Sequence, residues 1–192
     1  MKRAKRLTLQ MNSKQSKTLS KFLSLILRHN PGKIGLSLDK NGWGDLSELI
    51  QNCKVSGKDI SIEDIEYVVA TNNKKRFEFD EDKRKIRACQ GHSINIDLAL
   101  DPTCPPDTLY HGTATETVEY IKYDGILKMG RDYVHLTSDY QTAVNTGNRH
   151  GKPKVLLIDA KKMHKHGMEF FLANNGVWLT EFVPEEYIIY YF

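Results

Sequence analysis

Apolar positions recur at two different periods along the chain. In "SKTLSKFLSLILRH", Leu19, Phe22, Leu23 and Ile26 fall three and four residues apart, the spacing of one helix face, with Ser16 at the position of an N-cap. The run stops at Arg28-His29, followed by Asn30-Pro31. Cations complement the carbonyls at a helix C-terminus, and proline commonly follows one. "IGLSLDKNGWGDL" carries the turn signal Asn41-Gly42 between apolar residues. Asp45, three residues before Glu48, reads as a capping box that opens a helix through about Cys53. Ser61 reads as the N-cap of another helix, with Ile62, Ile65 and Val69 on one face.

In "KKRFEFDEDKRKIRACQ" the period drops to two. Phe77 and Phe79 point one way and Arg76 and Glu78 the other, an acidic turn follows, and Ile86 and Ala88 face the core with Arg87 opposite them. This reads as a β-hairpin. An arginine at such a position is ordinarily solvated, or on a wing it touches a nucleic-acid backbone. Helix, small strand, helix, helix, hairpin is the order of a winged helix-turn-helix.

The second half reads as short strands between short helices. "SINIDLAL" is a candidate strand, and "DPTCPPD", with three prolines in seven residues, is a connector and the expected boundary between two lobes. Then come "TLYHGT", a helix from about Thr115 to Tyr123, the strand "DYVHLTS", a helix from about Asp139 to Asn145, the strand "KVLLID" and a short helix at "AKKMHKHG". Asn175-Gly176 predicts a closing hairpin, and "YIIYYF" a last strand. This pattern predicts an α+β chain rather than a doubly wound parallel sheet. The expected division is a basic flexible tail over 1–15, a winged-helix lobe over 16–100 and a second lobe over 101–192.

Charge sharpens that division. Residues 1–90 carry 19 Lys and Arg against 11 Asp and Glu, whereas 91–192 carry 9 against 13. A basic half beside an acidic one suggests that the basic half meets a polyanion, nucleic acid foremost. Surface lysines that merely solubilise the lobe are the competing reading. The chain has no apolar run near the roughly 20 residues of a membrane span, and its basic start lacks the apolar segment of a secretory signal. Cys53, Cys89 and Cys104 are odd in number and widely spaced. They point to reduced thiols and a cytoplasmic protein rather than a disulfide framework or a cysteine zinc site.

There is no Rossmann glycine motif, no P-loop and no H-E-x-x-H. His164 and His166, two apart on a short helix, read as solvent-facing, so no metal is expected. His111 ends an apolar strand before Gly112 and Thr113. Gly112 would let a planar ligand approach the backbone amide and carbonyl, and His111 could bond a ribose hydroxyl. Thr113 with Glu116 also reads as a capping box, as does Ser138 with Gln141. His135 sits mid-strand, where a histidine is more often structural. Arg149, in a loop between Gly147 and Gly151, has the setting of a phosphate fork or of an exposed loop charge.

"FLSLILRHNP", "GWGDLSELI", "KKRFEF", "IRACQGHS", "LYHGT", "YVHLTSD", "RHGKPKVLLI" and "NGVWLT", in that order, resemble the RNA 2′-phosphotransferase family of the KptA type, from about Ser16 to the C-terminus. The resemblance implies an N-terminal winged-helix lobe and a C-terminal lobe of the ADP-ribosyltransferase kind that holds NAD+ as co-substrate. It carries the family's catalytic set onto Arg28, His29, Arg87 and Arg149, and its two histidine signatures onto His111 and His135. Arg28 and His29 would then face the cleft between the lobes, with the arginines clamping phosphate and His29 suited to proton transfer by histidine's ordinary pKa of about 6.5. Whether His29 acts as acid, as base or only by positioning phosphate stays open. His111, Gly112, Thr113 and His135 would orient NAD+, and Arg131 is a weaker candidate for its phosphates. The implied reaction has two steps. An internal RNA 2′-phosphate attacks the nicotinamide ribose and nicotinamide leaves. The 2″-hydroxyl then attacks phosphorus, giving RNA 2′-OH and ADP-ribose 1″,2″-cyclic phosphate. Nothing in the sequence demands a dimer. Two alternatives stay open: an ADP-ribosyltransferase that modifies nucleic-acid phosphates and stops after the first step, and a non-catalytic winged-helix nucleic-acid-binding protein.

Overall fold

A computed structural model of the protein describes residues 11–190. It divides into two units, one of residues up to 39 with 43–88, the other of 40–42 with 89 onwards. Both mix helices with antiparallel sheet, so the chain is α+β.

The first unit begins with α1 (Ser13–Arg28), capped not by Ser16 but by Asn12, which forms a reciprocal box with Gln15. Ser16 falls a turn inside because Asn12, four residues earlier, pairs with Gln15 and takes the cap. Helical structure thus reaches into the expected tail; the rest of that expectation, residues 1–10, lies outside the described residues. After a 3₁₀ turn (Pro31–Ile34) come β1 (Gly44–Asp45), α2 (Leu46–Val55), α3 (Ile62–Thr71), β2 (Phe77–Phe79) and β3 (Lys85–Ala88). Asp45 caps α2, but Glu48 supplies only half of the expected box, because its carboxylate accepts the Ser37 amide instead. Ser61 caps α3 in a full box with Asp64. That helix buries Ile65 and Val68, while Ile62 stays exposed at its first turn. Leu23, Ile26 and Leu27 of α1 are fully buried against Leu49, Ile65, Phe77 and Ile86. The sheet order is β1-β3-β2, which makes β3 the central strand.

The second unit starts in an extended segment, not the strand expected at "SINIDLAL". The period-two pattern there is real: Ile96 and Leu98 are buried on Ala173 and Leu179. Ala99 turns into the left-handed region (φ 52°), which breaks the extended run. Because residues 89–100 pack in this way, they group with the second unit, ahead of the proline-rich connector.

Then follow β4 (Thr108–Ala114), α4 (Val118–Asp124), β5 (Val134–Leu136), α5 (Tyr140–Gly147), β6 (Pro153–Asp159), α6 (Ala160–Lys165), β7 (Phe171–Leu172), β8 (Trp178–Thr180) and β9 (Ile188–Tyr190). They form two three-stranded sheets, β4-β6-β9 and β5-β8-β7, joined among the described residues by one bridge, between Tyr110 and Thr137. The Thr113–Glu116 box does not form, since β4 continues through Ala114 and no side chain caps the following turn. Asp139, not Ser138, caps α5, accepting the Thr142 amide at 2.7 Å. A carboxylate one residue later sits at the helix's positive end and outcompetes the hydroxyl. Among the described residues no helix is long and apolar enough to cross a membrane.

Candidate active site

The first unit holds three of the expected catalytic residues. At the end of α1 the Leu25 carbonyl accepts from the amides of both His29 (3.1 Å) and Asn30 (2.9 Å), which closes the helix tightly. Arg28 is half-buried and His29, the C-cap, is exposed. α1 packs on β3, the strand that carries Arg87.

Arg87 differs from the solvated arginine that its alternation allowed. Glu78 stands directly opposite it on β2, and the pairing of Gly44 with Ile86 brings Trp43, the residue before β1, alongside. Arg87 Nε donates to Glu78 Oε1 at 2.7 Å, and the guanidinium carbon lies 4.4 Å from the Trp43 ring centroid. The Arg87 side chain is only 11% exposed and that of Glu78 19%. Trp43 and Glu78 were not singled out in the sequence. The alternation of the hairpin gives the face of Arg87, but its neighbours depend on the register of three strands.

In the second unit β4 and β5 part company after their one bridge. Tyr110 and Thr137 exchange two backbone hydrogen bonds, of 2.7 and 3.0 Å. A continued antiparallel ladder would next set Gly112 opposite His135. Instead the His111 ring spans the gap, with Nδ1 3.1 Å from the His135 carbonyl oxygen. Backbone groups two residues apart face the same strand edge. The N–H and C=O of Gly112 therefore point into this fork, and they take no backbone partner among the described residues.

The hydrogen bonds assign both histidine tautomers. A carbonyl only accepts, so His111 carries its proton on Nδ1 and offers Nε2 as an acceptor. Arg131 Nη1 lies 2.8 Å from His135 Nδ1, and a guanidinium only donates, so His135 accepts there and carries its proton on Nε2. Burial pushes the His111 pKa down from its ordinary 6.5, the bond to the His135 carbonyl opposes the shift, and the His150 charge adds to it. Folded protein thus binds this proton less readily than unfolded chain. The contribution is intact above about pH 6.5 and is lost as the pH falls below that value. Between about pH 7.5 and 5.5, wild-type protein should lose more thermal stability than His111→Gln; equal losses in paired melting curves would refute the assignment.

α5 lies against the other side of Gly112. A Cβ on Gly112 would stand 1.8 Å from the Ala143 carbonyl oxygen, and one on Gly147 would stand 2.6 Å from that of Thr113. Glycine at these positions lets helix and strand meet backbone to backbone, so the freedom read at Gly112 serves packing as well as the open edge. Thr113 is buried in β4. Arg149 is exposed on the turn that ends α5, its Nη2 bonded to Thr146 Oγ1 at 2.8 Å. The structure thus brings His111, Gly112 and His135 to one fork, with Arg131 beside His135. Arg149 ends the helix seated on the same strand, and Arg28, His29 and Arg87 belong to the first unit.

Residues 14–182 match the model of the "RNA 2'-phosphotransferase, Tpt1 / KptA family". The chain belongs to this family. A Flavobacterium johnsoniae protein named "Probable RNA 2'-phosphotransferase" is 50% identical over 178 residues, covering 93% of this chain and 98% of its own length. One of the same name from Fusobacterium nucleatum is 53% identical over 171 residues, 88% of this chain and 96% of its own. A third, from Acaryochloris marina, is 51% identical over 175 residues, covering 91% and 97%. As a member of the RNA 2′-phosphotransferase family the protein is a transferase. Among the described residues no group of three or more His, Cys, Asp or Glu is arranged to hold a metal ion.

Proposed function

We propose that the protein removes an internal 2′-phosphate from RNA with NAD+ as co-substrate, in two steps that yield RNA 2′-OH, nicotinamide and ADP-ribose 1″,2″-cyclic phosphate. The observation that carries the reading is the fork at Gly112. A carboxamide needs one acceptor and one donor side by side, and the Gly112 C=O and N–H point together into the gap between β4 and β5. His111 Nε2, held as an acceptor, suits a ribose hydroxyl, and the His135 Nε2–H suits an acceptor on the same ligand. Arg131 serves the cofactor's phosphates indirectly at most in this reading, since one of its nitrogens already fixes His135. Thr113 shapes the strand rather than touching ligand, being buried.

Bound NAD+ supplies an anomeric carbon bonded to a cationic leaving group, and then the ADP-ribose that carries the phosphate away. The protein's own task is electrostatic. Arg28, Arg87 and Arg149 bind the 2′-phosphate dianion through paired N–H donors, and they stabilise the charge that builds on phosphoryl oxygens when phosphorus is attacked. His29, exposed at the end of α1, exchanges the protons that leave one hydroxyl and reach another. The three helices and hairpin of the first unit form the winged-helix lobe that receives RNA, and the second unit is the ADP-ribosyltransferase-like lobe. The protein acts as a monomer.

The test is incubation with NAD+ and a short RNA that carries one radiolabelled internal 2′-phosphate. Label recovered in ADP-ribose cyclic phosphate is the expected result. Label retained on RNA with ADP-ribose attached, or no nicotinamide release, would replace the proposal with a one-step modifier or a non-catalytic binding protein.

A further inference from the structure

Arg87 occupies the middle of a row of three side chains, with Glu78 from β2 on one flank and Trp43, the residue just before β1, on the other. Strand order β1-β3-β2 and its register put them there, on the face opposite buried Ile86 and Ala88. A long side chain with several rotatable bonds gives up its rotamer freedom when it is fixed, so holding one in place needs contacts that offset that loss. Two of its contacts, of different kinds, restrict Arg87. The Glu78 carboxylate takes the Nε–H at 2.7 Å and sets the rotation of the guanidinium in its own plane. The Trp43 indole, 4.4 Å from the guanidinium carbon, sets the plane itself. Nε is the innermost donor of the fork, and an arginine bridges phosphate most often by its outer nitrogens. An ion pair also weakens the pull of Arg87 on any other anion, so a carboxylate here makes sense only if orientation outweighs lost charge.

We propose that Glu78 and Trp43 are positioning residues for the phosphate-transfer reaction, acting through Arg87. This rests on the catalytic reading of Arg87 given above. A group misplaced by about 1 Å costs up to roughly 100-fold in rate, so Glu78→Ala and Trp43→Ala should each lower kcat by about 10- to 100-fold. The KM for RNA should rise by less than kcat falls, because Arg87 shares ground-state binding of the phosphate with Arg28 and Arg149 while its orientation matters most as charge builds in the transition state. Glu78→Gln keeps an acceptor for Nε–H and should recover most of the rate, as Trp43→Phe should by keeping a ring.

The experiment measures kcat and KM for 2′-phosphorylated RNA with these four variants and Arg87→Ala, alongside thermal melts of each. A lowered kcat in the two alanine variants, restored by Gln and Phe at melting temperatures no higher than those of the alanine variants, supports the proposal. Alanine variants within about twofold of wild type while Arg87→Ala is dead would overturn it and leave the catalytic reading standing. So would Glu78→Gln as slow as Glu78→Ala, because the carboxylate would then act by charge, or either alanine variant faster than wild type, because the contact would then hold Arg87 back. Full activity of Arg87→Ala would instead remove the catalytic reading itself.

Discussion

Gly112→Ala should unfold the second unit or leave it barely stable. The added methyl carbon would sit 1.8 Å from the Ala143 carbonyl oxygen and 2.6 Å from its carbon, both backbone atoms of α5. No rotamer change relieves such a contact. Either α5 lifts from β4, breaking the packing of Tyr140 on Tyr110, or the β4–β6 ladder bends. Overpacking against side chains costs about 1–3 kcal/mol, and a backbone clash belongs at or above the top of that range. Gly130→Ala is the control, because a Cβ there meets nothing within 4 Å. Soluble yield and thermal melts of the two variants should differ sharply; similar behaviour would mean that α5 does not seat on Gly112.

Arg149→Ala and Arg28→Ala should do the opposite, sparing the fold and removing the activity. Arg149 is exposed, and its bond to Thr146 is a surface contact whose loss costs little. Arg28 stands in the last turn of α1, where a cation is worth only about 0.3–1 kcal/mol to the helix. Transfer of a phosphoryl group loses about 10³-fold or more without an arginine that stabilises its charge. The expected result is a melting temperature close to wild type with phosphate release below about one part in 10³. Lysine should not restore it, since an ammonium lacks the paired donors. Normal turnover by either alanine variant would remove that residue from the catalytic set.

Much of this was legible in the sequence where local physics decides. The α1 face follows from Leu19, Phe22, Leu23 and Ile26, and the hairpin from the alternation around Phe77 and Ile86. What escaped depends on competition or on distance. Ser16 and Ser138 are good caps, but Asn12 and Asp139 lie nearby and make the bonds. The period-two pattern of "SINIDLAL" reports burial correctly, yet among the described residues no neighbouring strand pairs with it. At the candidate site the individual residues were visible and their surroundings were not. Nothing near "LYHGT" announces that the backbone of Ala143 will press on Gly112. Nothing near "KIRACQ" announces an indole and a carboxylate around Arg87.

The glycine seats of α5 also bear on how this scaffold can change. Contacts between main-chain atoms have no adjustable length, so Gly112 and Gly147 fix the helix at one height above the strand. His111 is a neighbour of the first seat, and Arg149 follows two residues after the second. Stepwise replacement of single side chains leaves that offset untouched. Variation in this half is freer between residues 127 and 131, where Leu127 and Met129 are exposed and a Cβ on Gly130 would meet nothing within 4 Å.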